Sequence, residues 1–297
     1  MTSSEIRDFY TKHSPFSAPG NHAEALRRLA DDFNDVIGAI QGLAIYDAVA
    51  ADFYGCNLSG NRMQDIYLRT AKAILDRILE LDNRAITKER LPENRIAGRC
   101  RNFVMLLIAA LREKGIPARA RCGFGVYFNP GLFEDHWVCE YWDAQSDCWK
   151  FADPQFDATW RRNLNISHDI ADVPRDRMLV AGDAWEICRT GKADPSQFGI
   201  SFVGMHGQWM VAGNLVRDIA ALNGMELQPW DVWGAMPRPD ETLDDQQLAF
   251  FDRLAAFSRE PDKHFAALRE TYANDPRITV PDQVFNALRN RPEALAA

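Results

Sequence analysis

Three residues of this chain have the types that thiol-based acyl transfer requires: Cys100, His136 and Asp153. A thiol nucleophile needs a base to take its proton, and imidazole is the usual one. The imidazole needs an acidic or amide partner to fix its tautomer. Cys100 precedes the most apolar run in the sequence, Phe103 to Leu111, which turns polar at Arg112-Glu113-Lys114 and stops at Gly115-Ile116-Pro117. A Gly just past the last turn and a Pro two residues later end a helix. A helix apolar on nearly all faces lies inside a domain. This pattern sets Cys100 at the N-terminus of a buried helix, where the helix dipole and free N–H groups favour a thiolate.

The elements that must bring His136 and Asp153 to the thiol follow that helix. Ala118 to Arg121 and Val126 to Phe128 read as an extended strand, in which Gly123 and Gly125 mark a bulge or a close backbone approach. Residues 136–142, rich in aromatic and β-branched side chains, form a second strand. Cys148 to Asp153 form a third, stopped by Pro154. A two-residue loop at Ala144-Gln145 sets His136 directly opposite Asp153. A four-residue loop, Ala144 to Asp147, shifts the pairing by two and makes them diagonal neighbours. Either loop keeps both side chains on one face, whereas an odd loop separates them. Asp157 is the substitute acid.

A buried helix followed by an antiparallel meander is an α+β arrangement. Gly98-Arg99-Cys100-Arg101-Asn102-Phe103, Gly115-Ile116-Pro117-Ala118-Arg119, Asp135-His136-Trp137-Val138 and Ala152-Asp153-Pro154, in this order, resemble the transglutaminase-like cysteine enzymes. The resemblance covers roughly residues 60–160, and the flanking segments look similar to bacterial members of that superfamily. It implies a papain-like fold with Cys100 as nucleophile, His136 as general base and acid, and Asp153 as orienting acid. Arg101 follows the cysteine where the animal cross-linking enzymes have Trp, and nothing resembles their calcium sites. The implied activity is that of a hydrolase, protease-like, or a transamidase acting on amide bonds through a thioester acyl-enzyme, and calcium-dependent cross-linking is not implied.

Composition bounds the rest. The chain has 297 residues, 46% of them hydrophobic, with a formal net charge of −8. It can bury a sizeable core, and an acidic chain without a basic block is a poor nucleic-acid binder. No apolar stretch suits a membrane span, and residues 1–8 lack the apolar core of a signal peptide. A cytoplasmic location is the expectation. Among the six cysteines (56, 100, 122, 139, 148 and 188) there is no C-x-x-C pair and no zinc-ligand spacing. No metal or organic cofactor is expected.

Four segments are expected: an N-terminal helical segment over 1–55 that starts as a surface tail, the catalytic core over 56–160, a Trp-rich extension over 161–240 and a helical appendage over 241–297. Long helices are expected over 22–49 and 61–81, and three short ones after residue 243. Trp137, Arg101, His206 and Trp209 are the candidates for contact with substrate. Tryptophans 185, 209, 230 and 233 either roof a cleft or pack on the core. Arg119 and Arg121, alternating on a strand, either bind an anionic group or form local ion pairs. The partner expected is a peptide, a protein, or a small amide or thioester. Alternatives are an amide synthase joining an acyl thioester to an amine, and a non-catalytic binding module that kept the fold.

Overall fold

The computed structural model describes residues 2–295. The expected N-terminal tail begins instead with helix α1 (Ser3–Thr11), whose Ile6 and Tyr10 are buried. The long helix expected over 22–49 is divided into α2 (Ala23–Arg27), α3 (Phe33–Gln41) and a strand, β1 (Ala44–Tyr46). Asp32 causes the second start, because its carboxylate accepts the N–H groups of Asn34 and Asp35 and so caps a new helix. Next comes α4 (Ala50–Tyr54). The helix expected over 61–81 also breaks. A 3-10 stretch, Gly60–Tyr67, ends before α5 (Ala71–Leu81), which starts afresh on the Thr70 hydroxyl. The break is held because the Leu68 and Arg69 carbonyls accept from Asn102 and Arg101.

The central run follows the sequence pattern. β2 (Ile96–Gly98) leads into α6 (Cys100–Glu113), which is followed by β3 (Ala118–Gly125), β4 (Phe133–Asp143) and β5 (Cys148–Ala152). Every residue of α6 from Cys100 to Arg112 is buried. Gly115, at φ +74°, closes it. The β4–β5 loop has four residues, with Asp143 opposite Cys148 and Cys139 opposite Ala152. Asp143 builds that loop, accepting the Gln145 N–H at 3.0 Å and the Ser146 hydroxyl at 2.6 Å.

Beyond it come α7 (Ala158–Asn163), β6 (Met178–Val180), α8 (Ala181–Arg189), β7 (Phe198–Ile200), β8 (Met205–His206) and α9 (Gln208–Leu222). The last elements are β9 (Asp231–Val232), α10 (Asp245–Arg259), α11 (Phe265–Asn274), β10 (Gln283–Asn286) and β11 (Arg291–Ala294). The third C-terminal helix is thus replaced by a hairpin. Its period-two segment Gln283-Val284-Phe285-Asn286 alternates exposed and buried residues, and Asn290 takes a left-handed turn conformation.

The chain packs as two compact units that cut across the four expected segments. One comprises Arg7–Ala120 and Val138–Pro174, the other Met1–Ile6, Arg121–Trp137 and Arg175–Ala297. The first is built on α6, which packs against α2, α3 and α5, with the β4–β5 ladder and the parallel β1–β2 pair. The second is built on α9, which packs against α8, α10 and β7. In it β3 pairs with β6, β4 pairs in parallel with β7, and β7 pairs with β8. Among the described residues no helix is long and apolar enough to cross a membrane.

Candidate active site

The parallel β1–β2 pair delivers Cys100. Its register sets Tyr46 opposite Gly98, and α6 begins two residues later. The helix start is fixed by Asn102, whose Oδ1 accepts the Arg99 N–H at 2.9 Å and whose Nδ2 donates to the Leu68 carbonyl. Arg101 is fully buried and donates to the Arg69 carbonyl at 2.7 Å. The two residues after the cysteine therefore anchor the first turn to the segment before α5. Cys100 itself is 6% exposed.

Beside the helix start lie two residues that the sequence did not single out, Tyr46 and Asp47, both held by Arg99. The Arg99 guanidinium lies 5.2 Å from the centroid of the Tyr46 ring and makes a two-point ion pair with Asp47, Nε–Oδ1 2.5 Å and Nη2–Oδ2 2.9 Å. Burial pushes the Asp47 carboxyl above its ordinary range, against the pull of Arg99. Burial also pushes the Tyr46 phenol up. Arg99 opposes this, and negative charge on Cys100 and Asp47 adds to it. The signal for Tyr46 was local: Ala44-Ile45-Tyr46 after Gly42 has the composition of a short strand, hidden inside a stretch read as one helix.

Asp153 is fully buried in the same unit as Cys100. Its N–H leaves the β4–β5 ladder for the Ile170 carbonyl at 2.8 Å, and its Oδ1 accepts the Gln155 N–H at 3.2 Å. Asp157 is occupied otherwise. Its Oδ1 caps α7 by accepting from Thr159 and Trp160, and its Oδ2 accepts the Tyr54 hydroxyl at 2.7 Å.

His136 and Trp137 belong to the other unit, and both are buried. The His136 ring stands edge-on to Phe128 at 5.0 Å and to Tyr127 at 6.0 Å. The neighbouring Asp135 accepts from Asn214 Nδ2 at 2.7 Å, and Asn214 in turn accepts from Arg217. Burial pushes the Asp135 carboxyl up, against Arg217 and the Asn214 hydrogen bond. His206 and Trp209 meet in the turn between β8 and α9, where the indole N–H donates to the His206 carbonyl at 2.9 Å. His206 Nε2 lies 3.4 Å from the Ser201 hydroxyl.

Other sequence candidates carry structure. Arg119 is ion-paired with Glu140 at 2.7 Å and Arg121 with Asp218 at 2.9 Å, all four buried. Trp185 is fully buried and donates to Asp252, and Trp233 donates to the Ile278 carbonyl. Those two indoles pack within their unit.

Residues 64–154 match the model of the transglutaminase-like superfamily. This segment is similar to a transglutaminase-like core. Its mixture of helix and antiparallel strand is the α+β arrangement expected, consistent with a papain-like core. Cys100, His136 and Asp153 all fall inside the matched range. Among curated proteins none matches. A similar solved structure is that of a candidate cysteine protease from Cytophaga hutchinsonii. It is 18% identical, with 55% of this chain and 54% of that one covered and a TM-score of 0.20, an overlap too slight to carry a structural argument. This chain spans about half the length of that protein. The family match supports cysteine-based catalysis in general.

Proposed function

We propose that this protein is a cysteine acyl-transfer enzyme in which Cys100 attacks an amide or thioester carbonyl, with His136 as general base and acid and Asp153 as the orienting acid. The observation that carries the reading is the position of Cys100. It is the first residue of a buried helix inside a transglutaminase-like core, with a small part of its surface left open. A helix start offers N–H groups that have no carbonyl one turn back. Such groups can hold the oxyanion that forms when the thiol adds to a carbonyl. His136 accepts the thiol proton and returns it to the leaving group. The thioester then goes to water or to an amine acceptor.

The other cysteines supply internal controls. Burial pushes the Cys188 thiol up to about 12, and raises Cys56 and Cys139 as well, so these thiols are poor nucleophiles at neutral pH. Cys148 is exposed. The test is alkylation by iodoacetamide at neutral pH, with each cysteine followed by peptide mapping, in the wild type and in His136→Ala. The expected result is that Cys100, though almost covered, reacts faster than the exposed Cys148, and that His136→Ala removes this advantage. If Cys100 lags behind Cys148 and His136→Ala changes nothing, the acyl-transfer reading fails.

A further inference from the structure

We propose, building on the acyl-transfer reading, that the Tyr46 hydroxyl is a hydrogen-bond donor to the oxyanion formed at Cys100. Tyr46 lies outside the matched core, in a strand contributed by the N-terminal segment. Four observations from one compact unit converge on it. The β1–β2 ladder ends with Tyr46 opposite Gly98, so the strand stops where the chain turns into the helix that starts at Cys100. The ring is held edge-on by Trp160 at 5.5 Å and lies beneath the Arg99 guanidinium. Arg99 is itself fixed by the Asp47 carboxylate through two contacts. Tyr46 is half-buried, with part of its surface in solvent.

The chemistry follows from those surroundings. Burial keeps the phenol protonated, so at neutral pH it is an O–H donor. Negative charge on Cys100 raises the phenol further. When Cys100 Sγ adds to a carbonyl carbon, a C–S bond forms and the π pair moves to oxygen. The backbone N–H of Cys100 and the Tyr46 O–H then share that oxyanion. When the pair returns, the bond to the leaving group breaks and the thioester remains. Neighbouring Arg99 polarises the phenol, and Asp47 acts through Arg99 as a positioning residue.

The probe is p-nitrophenyl acetate, whose acyl transfer to Cys100 releases p-nitrophenolate in a burst. The burst is followed in the wild type, in Cys100→Ala and in Tyr46→Phe, a variant that keeps the ring and its stacking and removes only the hydroxyl. Iodoacetamide alkylation of Cys100 is measured on the same samples. That reaction displaces iodide and passes through no oxyanion, so it reports the thiol alone. Removing one oxyanion donor lowers a rate by about 100-fold. Tyr46→Phe is therefore expected to slow the burst by about that factor, with KM and the alkylation rate little changed. Because the ratio of burst rate to alkylation rate is taken within one sample, partial loss of folded protein cancels. A wild-type burst rate in Tyr46→Phe, or an equal fall in burst and alkylation, overturns the assignment while leaving the enzyme reading in place. If the wild type gives no burst that Cys100→Ala abolishes, the acyl-transfer reading fails and the role of Tyr46 fails with it.

Discussion

Asp153 and Asp157 are four positions apart on one short segment, yet their surroundings differ. Asp157 has both oxygens committed, one to the N–H groups that start α7 and one to the Tyr54 hydroxyl. A helix cap contributes about 1 kcal/mol, and a buried hydroxyl hydrogen bond contributes about as much again. Asp157→Ala is therefore expected to destabilise the protein by about 2 kcal/mol, read as a lower urea midpoint. Asp157→Asn should restore most of it, since an asparagine oxygen can cap the same N–H groups. Neither variant should change the reactivity of Cys100. If Cys100 alkylation follows Asp157 and ignores Asp153→Ala, the acid has been assigned to the wrong residue. From sequence alone the two carboxylates could only be ranked, because the cap and Tyr54 are brought to Asp157 by folding.

At the level of elements, Gly123 shows a strand whose composition was dictated by its neighbour. It lies opposite Val180 in the β3–β6 pair, and a Cβ added there would fall 2.0 Å from the Leu179 carbonyl oxygen. Backbone cannot move aside as a flexible side chain can, so Gly123→Ala is expected to cost about 1–3 kcal/mol by overpacking. Equilibrium unfolding in denaturant measures it, and a cost near zero would mean that β6 does not pack as described. The sequence flagged this glycine as a close approach, since an isolated Gly in a strand has few other uses. The buried helix, the three-strand run and the even-length loop were legible for a similar reason: periodicity and turn residues are local properties. The division of 22–49 and 61–81 was not. There the apolar period continues across each break; the first is set by the Asp32 cap, which that period masked, and the second is held by outside partners. Asn102 and Arg101 claim the carbonyls of Leu68 and Arg69 from more than thirty positions away. β1, and with it Tyr46, had a local signal in Ala44-Ile45-Tyr46 that the surrounding helical period masked, and it is held as a strand by pairing with β2.

Over the whole chain, the N-terminal segment matters more than its polar composition suggested. Residues 13–17 are tied to the last turn of α6. His13 Nδ1 is 3.2 Å from the Ser17 hydroxyl and Nε2 is 3.0 Å from Glu113 Oε1, while Arg112 Nη1 donates to the same Ser17 oxygen at 2.7 Å. Burial lowers the His13 imidazole below its usual range, outweighing the Glu113 hydrogen bond, and the Arg112 charge lowers it further. The consequence for stability has a definite sign. Unfolded, the imidazole titrates near its ordinary value of about 6.5. As pH falls below that value, the unfolded chain binds a proton that the folded chain still declines. Stability therefore rises with pH across this window and is lost as pH falls from about 6.5 toward the lowered folded value. Above the window His13 contributes no slope. Urea midpoints measured at intervals from about pH 7.5 to about pH 5.5 are expected to fall more steeply in the wild type than in His13→Gln, which cannot titrate. The slope is the readout, because a uniform offset between the two proteins reports only the lost contacts. Equal slopes would show that His13 accepts its proton as readily folded as unfolded, and that the segment is not clamped on α6 through a neutral imidazole.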